Sequence, residues 1–182
     1  NKLTTFHENT FKQLNKLTVL WLHSNQIDSI HPNLFDNCHN LTTLDLYNNK
    51  LTTFHENTFK QLNKLTVLWL HSNQIDSIHP NLFDNCHNLT TLDLYNNKLT
   101  TFHENTFKQL NKLTVLWLHS NQIDSIHPNL FDNCHNLTTL DLYNNKLTTF
   151  HENTFKQLNK LTVLWLHSNQ IDSIHPNLFD NC

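Results

Sequence analysis

The sequence predicts an α/β repeat solenoid, a stack of similar coils that each contribute one short strand and a return of loops or short turns. Two observations predict this fold. From Leu17 onward the chain is a 48-residue unit copied without change, and each unit divides into two 24-residue halves with the same apolar columns. Self-similarity at a fixed period of roughly 20 to 50 residues is the signature of solenoids, in which every coil buries its apolar edge against its neighbours.

The coil boundaries follow from the repeat, and they divide a single predicted domain, residues 1–182. Residues 1–16 match 49–64 and form a partial coil without a strand of its own. Six complete coils follow, at residues 17–40, 41–64, 65–88, 89–112, 113–136 and 137–160. The last coil, 161–182, is two residues short, and we expect no terminal caps in this chain.

Each coil opens with the pattern LTxLxL, which alternates apolar with polar residues and predicts a strand with one buried face. In the coil that begins at Leu41, three residues are expected to point into the core: Leu41, Leu44 and Leu46. The other residues of this segment are expected to lie on the open face: Thr42, Thr43, Asp45, Tyr47 and Asn48.

An asparagine follows each strand at a turn, where its side-chain amide can bond backbone groups that the turn leaves unpaired. Its equivalents are predicted to stack as an asparagine ladder: Asn25, Asn49, Asn73, Asn97, Asn121 and Asn145. The chain has no Gly, so Asn is also expected to supply the left-handed backbone of these turns. The return segment continues the core through four residues: Leu51, Phe54, Phe59 and Leu62. Pro32 suits the first position of a tight helical turn there.

These columns resemble the leucine-rich repeat motif LxxLxLxxNxLxxLxxxxFxxLxx in its typical 24-residue form, the version found in Toll-type receptor ectodomains and variable lymphocyte receptors. The resemblance covers the whole chain. It implies a leucine-rich repeat arc with a parallel β-sheet on the concave side and loops or short 3-10 or helical turns on the convex side. It also implies a non-catalytic, extracellular module that binds ligands on the concave face or its flanks. The cysteine-rich caps that usually close extracellular members are missing.

The perfect identity of the copies needs its own explanation, because natural duplicates drift apart. It indicates an engineered array or a very recent expansion. The unit itself looks natural, since it retains a Cys, an exposed Trp and a glycosylation sequon, which design rules remove. We therefore interpret the chain as an array of one two-repeat module taken from a Toll-like ectodomain.

Charge and hydropathy limit the expected partners. The formal net charge is −3 with His neutral, which gives no basic footprint for nucleic acid and no polybasic patch for a membrane. Protonation of all 15 His would change the formal charge from −3 to +12, so association is expected to depend on pH. No apolar run approaches the ~20 residues that span a bilayer, and the first residues lack the apolar core of a signal peptide. The sequence predicts no cofactor.

Aromatic and acidic residues dominate the predicted concave face. Exposed Trp and Tyr with few charges have the composition of a binding hot spot; the alternative is that cross-strand Trp and Asp–His neighbours simply satisfy each other. The predicted binding residues are Trp21, Asp45, Tyr47, Trp69, His71, Asp93, Tyr95, Trp117, His119, Asp141 and Tyr143. The first function hypothesis is therefore recognition of a protein partner on this face.

The second hypothesis is a synthetic or structural repeat scaffold without a ligand of its own that self-associates end to end. An open solenoid end exposes apolar residues and an unpaired strand edge, and identical coils make the two ends complementary. The two hypotheses differ in whether the concave face or the ends of the stack carry the interaction.

Two columns have weaker functional interpretations. Stacked His residues at a fixed position could share a transition metal, although a solvated column is the simpler interpretation. The metal candidates are His55, His79, His103 and His127. Three N-L-T sequons are glycosylation candidates if the chain passes through a secretory pathway. They begin at Asn40, Asn88 and Asn136.

The remaining candidates favour structural roles. Cys38, Cys86 and Cys134 occupy a core position two coils apart, and a separation of ~10 Å or more excludes intrachain disulfides. Cys182, in the last coil, is the residue that could cross-link two chains.

A Ser, His and Asp on the open sheet supply the residue types of a hydrolytic triad, namely Ser24, His23 and Asp45. They have no visible pocket or oxyanion donors, so no enzyme is predicted. A stacked Thr column resembles the faces of ice-binding solenoids, but Trp and Tyr interrupt the face; its members include Thr18, Thr42, Thr66 and Thr90.

Overall fold

The computed structural model describes residues 1–182 and shows a solenoid with one strand in each coil from residue 17 onward. The strands form one seven-stranded parallel sheet in chain order, so every strand pairs with the strands of the coils before and after it. They are β1 (Val19–Trp21), β2 (Thr43–Asp45), β3 (Val67–Trp69), β4 (Thr91–Asp93), β5 (Val115–Trp117), β6 (Thr139–Asp141) and β7 (Val163–Trp165). The predicted fold class is confirmed.

The strand register repeats the 24-residue period of the sequence without a slip. Leu20 pairs with Leu44, and Leu44 pairs with Leu68. Because side chains alternate between the two faces of a strand, this register places one unbroken Leu column in the core. Leu44 and Leu68 are fully buried, as the alternation of the sequence predicts.

The core is one continuous cluster that runs through the stack. Leu41, Leu46, Leu51 and their equivalents in later complete coils are fully buried on the strand side. On the return side, Phe rings stack from coil to coil, with 6.4 Å between the ring centroids of Phe59 and Phe83. Each ring therefore buries its faces against the neighbouring coils, and no coil has a core of its own.

The convex side consists of consecutive tight turns and contains no helix. The N–H of Thr58 donates to the carbonyl of His55 at 3.0 Å, and the same three-residue spacing recurs from Leu62 to Phe59 at 3.1 Å. Pro32 lies inside the corresponding turn, between the carbonyl of His31 and the N–H of Leu34. Its missing N–H leaves no hydrogen bond unmade.

The asparagine ladder is present and binds three backbone segments together. The Nδ2 group of Asn49 donates to the carbonyls of Leu22 and Leu46 at 3.1 and 3.0 Å, and its Oδ1 atom accepts the N–H of Ile27 at 3.0 Å. Equivalent bonds recur at Asn73, Asn97, Asn121 and Asn145. The buried turn is thus saturated with hydrogen bonds by one side chain per coil.

The left-handed backbone differs in part from the prediction. Asn48 has a φ of 55°, as expected for Asn, but alternate coils place Ser at this position, with a φ of 58° at Ser24 and Ser72. The fold demands the same backbone in every coil, so tertiary structure imposes it on a residue that does not favour it.

Candidate functional site

Two side-chain columns cover the solvent side of the sheet, which is the concave face of the arc. One column alternates Trp and Asp, because Trp21, Asp45 and Trp69 are partners in the strand register. The other column lies two residues further along each coil and alternates His and Tyr. The predicted binding residues all belong to these two columns.

The His and Tyr rings form a continuous stack of seven rings across the sheet. The centroid of Tyr47 lies 4.5 Å from that of His23 and 4.4 Å from that of His71. The stack continues from His71 to Tyr95 at 4.2 Å and to His119 at a further 4.3 Å. The interplanar angles of these pairs are 14° or less. Because the strands hold the rings at a fixed spacing, the stack is a rigid polar-edged aromatic surface.

The Asp residues depart from the prediction that they lie open to solvent. Asp45, Asp93 and Asp141 are 2%, 7% and 2% exposed. Each lies in register between two Trp residues, whose bulky side chains on adjacent strands restrict solvent access. The Trp residues are the exposed members of this column, with 65% exposure at Trp21 and 37% at Trp117.

Burial changes the acidity of the carboxyl groups. Burial, with a smaller contribution from the charge of Asp45, raises the pKa of Asp93 to about 7. Burial also raises the pKa of Asp45 and Asp141, while the backbone N–H groups of Tyr47 and Tyr143 act in the opposite direction. Asp93 is therefore poised between its neutral and charged forms near neutral pH.

The stacked His residues are biased toward the neutral form. Burial, followed by repulsion from His119, lowers the pKa of His71 to about 4. Burial also lowers the pKa of His119, although its Nε2 atom lies 3.8 Å from Oδ2 of Asp141. Loss of hydration thus outweighs the attraction of that carboxylate.

A groove of about 560 Å³ crosses β3, β4 and β5 on this face. Trp69 and Trp117 flank it, and Asp93 lies between them in the register. The remaining lining residues belong to the same columns and to the adjacent Thr/Val column: Tyr47, His71, Thr91 and Val115. Five of the predicted binding residues therefore meet in this groove at the centre of the sheet.

The contacts of the Ser, His and Asp residues do not make a hydrolytic triad. The Nδ1 atom of His23 lies 3.1 Å from Oγ of Ser24, its neighbour in sequence. The Ser hydroxyl also accepts a hydrogen bond from Nδ2 of Asn48 at 3.2 Å. These contacts tie the hydroxyl to a turn at the border of the sheet, rather than to an oxyanion site.

The His column that holds the weak metal candidates makes structural contacts. The Nδ1 atom of His55 accepts the N–H of Asn57 at 3.1 Å, and the same bond occurs at His79, His103 and His127. In alternate coils the Nε2 atom faces a Glu of the preceding coil, at 3.9 Å from His79 to Glu56. No group of three or more His, Cys, Asp or Glu side chains is arranged to hold a metal ion.

The sequon asparagines join neighbouring coils on one flank. The Nδ2 group of Asn40 donates to the carbonyl of Asn15 at 2.7 Å, and its Oδ1 atom accepts Nζ of Lys64 at 2.7 Å. The same bonds recur at Asn88 and Asn136. A glycan on these residues would therefore be attached to an amide that already links two coils.

The Thr hydroxyls and the Cys thiols are engaged in the fold. The hydroxyl of Thr42 donates to the carbonyl of Thr18 at 3.1 Å, and the column repeats this bond, so the hydroxyls point along the stack. Cys86 and Cys134 are unpaired and buried, and burial raises the pKa of both thiols to about 12. Cys182 is free and exposed, as predicted.

Sequence reasoning identified both columns of the concave face but missed two of their properties. It did not predict that His and Tyr stack as one unit, although the 24-residue period places His23 opposite Tyr47. It also did not single out Asp93, whose Oδ1 atom is buried without a hydrogen-bond partner. No signal in the sequence distinguishes Asp93 from Asp45, since their coils are identical.

The Leu, Asn and Phe columns, one strand per coil and a parallel sheet in chain order define a leucine-rich repeat protein. The chain belongs to the leucine-rich repeat family: the model described as BspA type Leucine rich repeat region matches in 6 copies, over residues 1–114 and 70–182. Domains of this family with a Toll-receptor-like fold are generally non-catalytic. The resemblance stated from the sequence is thus confirmed.

Two solved structures show the particular relatives that the chain is similar to. TLR13, in its complex with ssRNA13, is 30% identical, with a TM-score of 0.93 over 98% of this chain and 25% of that chain. Toll, in the Toll–Spatzle complex from Drosophila, is 27% identical, with a TM-score of 0.94 over 98% of this chain and 24% of that chain. The chain therefore spans about a quarter of the length of either relative. No match was found among curated proteins.

One similarity and one feature of the structure bear on two further expectations. The sequence predicted that nucleic acid is not a partner, and the likeness to a structure that contains ssRNA13 does not support that exclusion. The structure also has no helix that is long and apolar enough to cross a bilayer.

Proposed function

We propose that this chain is a ligand-recognition module that binds a protein partner on its concave face, at the centre of the sheet. The observation that carries the proposal is the groove between Trp69 and Trp117, which is backed by a rigid ring stack. Large, preorganised aromatic side chains contribute most of the energy at protein interfaces and lose little entropy on binding. The relatives support a recognition role, since both structures are complexes.

Charge favours a protein over a nucleic acid as the partner. None of the 12 Lys lies in a strand segment, and the concave face carries three Asp residues. A nucleic acid would meet no cation there to replace its counterions. The composition of the face instead matches the aromatic core of a protein interface.

Location and modification belong to the same proposal. We propose an extracellular or endosomal setting, supported by the Toll-type resemblance and the regularly spaced sequons. Glycans at Asn40, Asn88 and Asn136 would lie on the flank of the stack and leave the concave groove open.

The test selects binders and then locates their site. Peptides displayed on phage, and single-stranded RNA oligonucleotides in parallel, are selected against the immobilised chain. Each selected ligand is measured against the triple variant Trp69→Ala, Trp117→Ala, Tyr95→Ala and against a matched convex variant, Lys60→Ala, Lys108→Ala, Lys156→Ala. We expect peptides that lose at least about 100-fold in affinity with the first variant and are unaffected by the second. Ligands that respond only to the convex variant, or only RNA binders, would contradict the proposal.

A further inference from the structure

Asp93 is the most unusual polar side chain on the concave face. It is 7% exposed, it lines the central groove, and its Oδ1 atom has no hydrogen-bond partner. Two coils before and two coils after it, the Oδ1 atoms of the equivalent residues Asp45 and Asp141 accept the N–H groups of Tyr47 and Tyr143 at 3.1 Å. A buried carboxylate oxygen without a partner is costly, so Asp93 is the site on this face where an external group would gain most.

The groove supplies no internal cation to balance Asp93. No Lys lies in any strand segment, and the neighbouring His71 and His119 both have lowered pKa values because of burial. The nearby Asp45 adds negative potential. The charge complement of the groove is therefore a cation that comes from outside the chain.

The walls of the groove define the chemistry of that cation. Trp69 and Trp117 flank Asp93 on the adjacent strands, and Tyr47 also lines the groove. Aromatic faces attract cations, and most strongly when water is excluded. Beside the carboxylate, the polar lining groups are Thr91, His71, the Tyr47 hydroxyl and the indole N–H groups of the two Trp residues, so Asp93 is the one carboxyl group in the lining.

We infer that the groove formed by Trp69, Asp93 and Trp117 binds a methylated ammonium group, whose charge Asp93 balances and whose methyl groups contact the indoles. This inference rests on the proposed function and deepens it, since it names the chemical group that a partner presents to the face. The trimethylated, quaternary form of this group has no N–H donors that the apolar walls would leave unsatisfied. An open groove of about 560 Å³ has room for such a group together with the chain that carries it.

Proton linkage gives this site a signature. Burial raises the pKa of Asp93 to about 7, so part of the population must lose a proton before the cation binds. Affinity should therefore increase between about pH 6 and about pH 8 and level off above that range. The other titratable groups close to Asp93 are Asp45, Tyr95 and His71. In the Asp93→Asn variant these groups remain, but the pH dependence should disappear.

The experiment titrates the intact chain with choline, followed by Trp fluorescence and by saturation-transfer NMR of the choline methyl protons. The uncharged isostere of choline, in which a tert-butyl group replaces the trimethylammonium, is the matched probe. We expect the isostere to bind at least about 10-fold more weakly than choline. Asp93→Asn and Trp117→Leu should each weaken choline binding by a similar factor. The matched controls are Asp141→Asn and Trp165→Leu, of which Trp165 lies in the last coil, and both should leave choline binding unchanged.

Three outcomes would overturn the inference. These are no saturation transfer to choline, equal affinity for choline and its isostere, or equal losses with Asp93→Asn and Asp141→Asn. Circular dichroism of every variant identifies any loss caused by unfolding, and the isostere comparison requires no substitution. A peptide with trimethyllysine distinguishes the source of the cation: tighter binding than choline indicates a partner side chain, and equal binding indicates a free small molecule. Because choline is tested without any protein partner, a negative choline result would overturn the cation inference only. Protein recognition on the concave face is tested separately by the selected peptides.

Discussion

Ser120 shows how the repeat imposes a backbone that its sequence does not favour. It has a φ of 56°, whereas the equivalent position in the next coil is Asn144, with a φ of 54°. Ser gains nothing from left-handed backbone, while Asn tolerates it. The alternation of Ser and Asn therefore stores a small amount of strain in every second coil.

Replacing Ser120 by Asn should relieve this strain. We expect the free energy of unfolding to increase by about 0.5 kcal/mol, because Asn occupies the left-handed region at lower cost. Urea denaturation of the two chains measures this difference. Ser125→Asn is the control, since Ser125 lies in the same coil, is exposed and does not have a positive φ. A loss of stability in Ser120→Asn would mean that the contacts of the Ser hydroxyl with His119 and Asn144 outweigh the backbone term.

Asp93 and His71 should give stability opposite dependences on pH. The raised pKa of Asp93, about 7 against an ordinary value of 3.8, means that at about pH 5 to 6 the folded state keeps a proton which the unfolded state has lost. This contribution is fully present below about pH 4 and is lost as the pH rises to about 7. The lowered pKa of His71, about 4 against 6.5, acts in the other direction, since its contribution is present above 6.5 and is lost as the pH falls to about 4.

Asp93→Asn isolates one half of this balance. Relative to the parent chain, the variant should gain stability as the pH rises from about 4 to about 7, because it removes the only term of this pair that falls with pH. Urea denaturation midpoints at several pH values test this. Asp124→Asn, at an exposed site, provides the baseline. Parallel pH profiles for the parent chain and Asp93→Asn would contradict the assigned burial of this carboxyl group.

At the scale of the element, the asparagine ladder provides hydrogen bonds to the backbone of the buried turns that follow the strands. Asn97 donates to the carbonyls of Leu70, Leu94 and Tyr95 at 3.2, 3.0 and 3.2 Å, and accepts the N–H of Ile75 at 3.0 Å. One side chain thus satisfies backbone groups of two successive coils. Because the turn is buried, water cannot replace the hydrogen bonds of the Asn97 side chain.

Asn97→Ala should destabilise the chain by about 2–4 kcal/mol, because it leaves several buried backbone groups without partners. Asn25→Ala is the matched control. It removes the same residue from a partly exposed ladder position in the first complete coil, where water can replace the amide, so its effect should be clearly smaller. Urea denaturation compares the two variants, and equal losses would show that the ladder bonds contribute little beyond their local turn.

The elements differ in how far sequence alone could predict them. Leu44 and Asn49 were predicted correctly because the sequence of their own coil sets their roles. Leu44 occupies an inward position of the strand, and Asn49 lies at the turn that follows it. The burial of Asp45 was predicted wrongly because it depends on the side chains of Trp21 and Trp69, which belong to other coils. The unpartnered oxygen of Asp93 was beyond prediction, since identical coils cannot reveal which carboxyl group lacks a backbone bond.

At the scale of the whole molecule, identical coils make the stack nearly uniform, and binding surfaces arise from repetition. The ring stack and the Trp/Asp column each have the period of the strands. Only the central groove combines two flanking Trp residues with an unsatisfied carboxylate. The uniform scaffold thus supplies rigidity, and a local departure from uniformity supplies the candidate site.

The 182-residue chain, when studied by itself, should associate through its two ends. Its first and last coils expose apolar side chains, with 43% exposure at Leu3, 48% at Ile174 and 40% at Phe179, and β1 and β7 each have one unpaired edge. Identical coils make these ends complementary, and a head-to-tail contact can repeat without closing. Light scattering should therefore give a mass above 21.6 kDa that increases with protein concentration.

Three comparisons separate this contact from the others that the chain can make. Ile174→Lys with Phe179→Lys should return the mass to 21.6 kDa, because charges at the end oppose burial of the apolar coil. Reductant should have no effect on the mass, because the proposed contact between the ends is not covalent. A disulfide through Cys182, by contrast, would be broken by reductant and would not depend on Ile174 and Phe179. The concave variant Trp69→Ala, Trp117→Ala should leave the mass unchanged. A concentration-independent monomer would exclude the scaffold hypothesis for this chain, whereas loss of association in the concave variant would move the contact to the aromatic face.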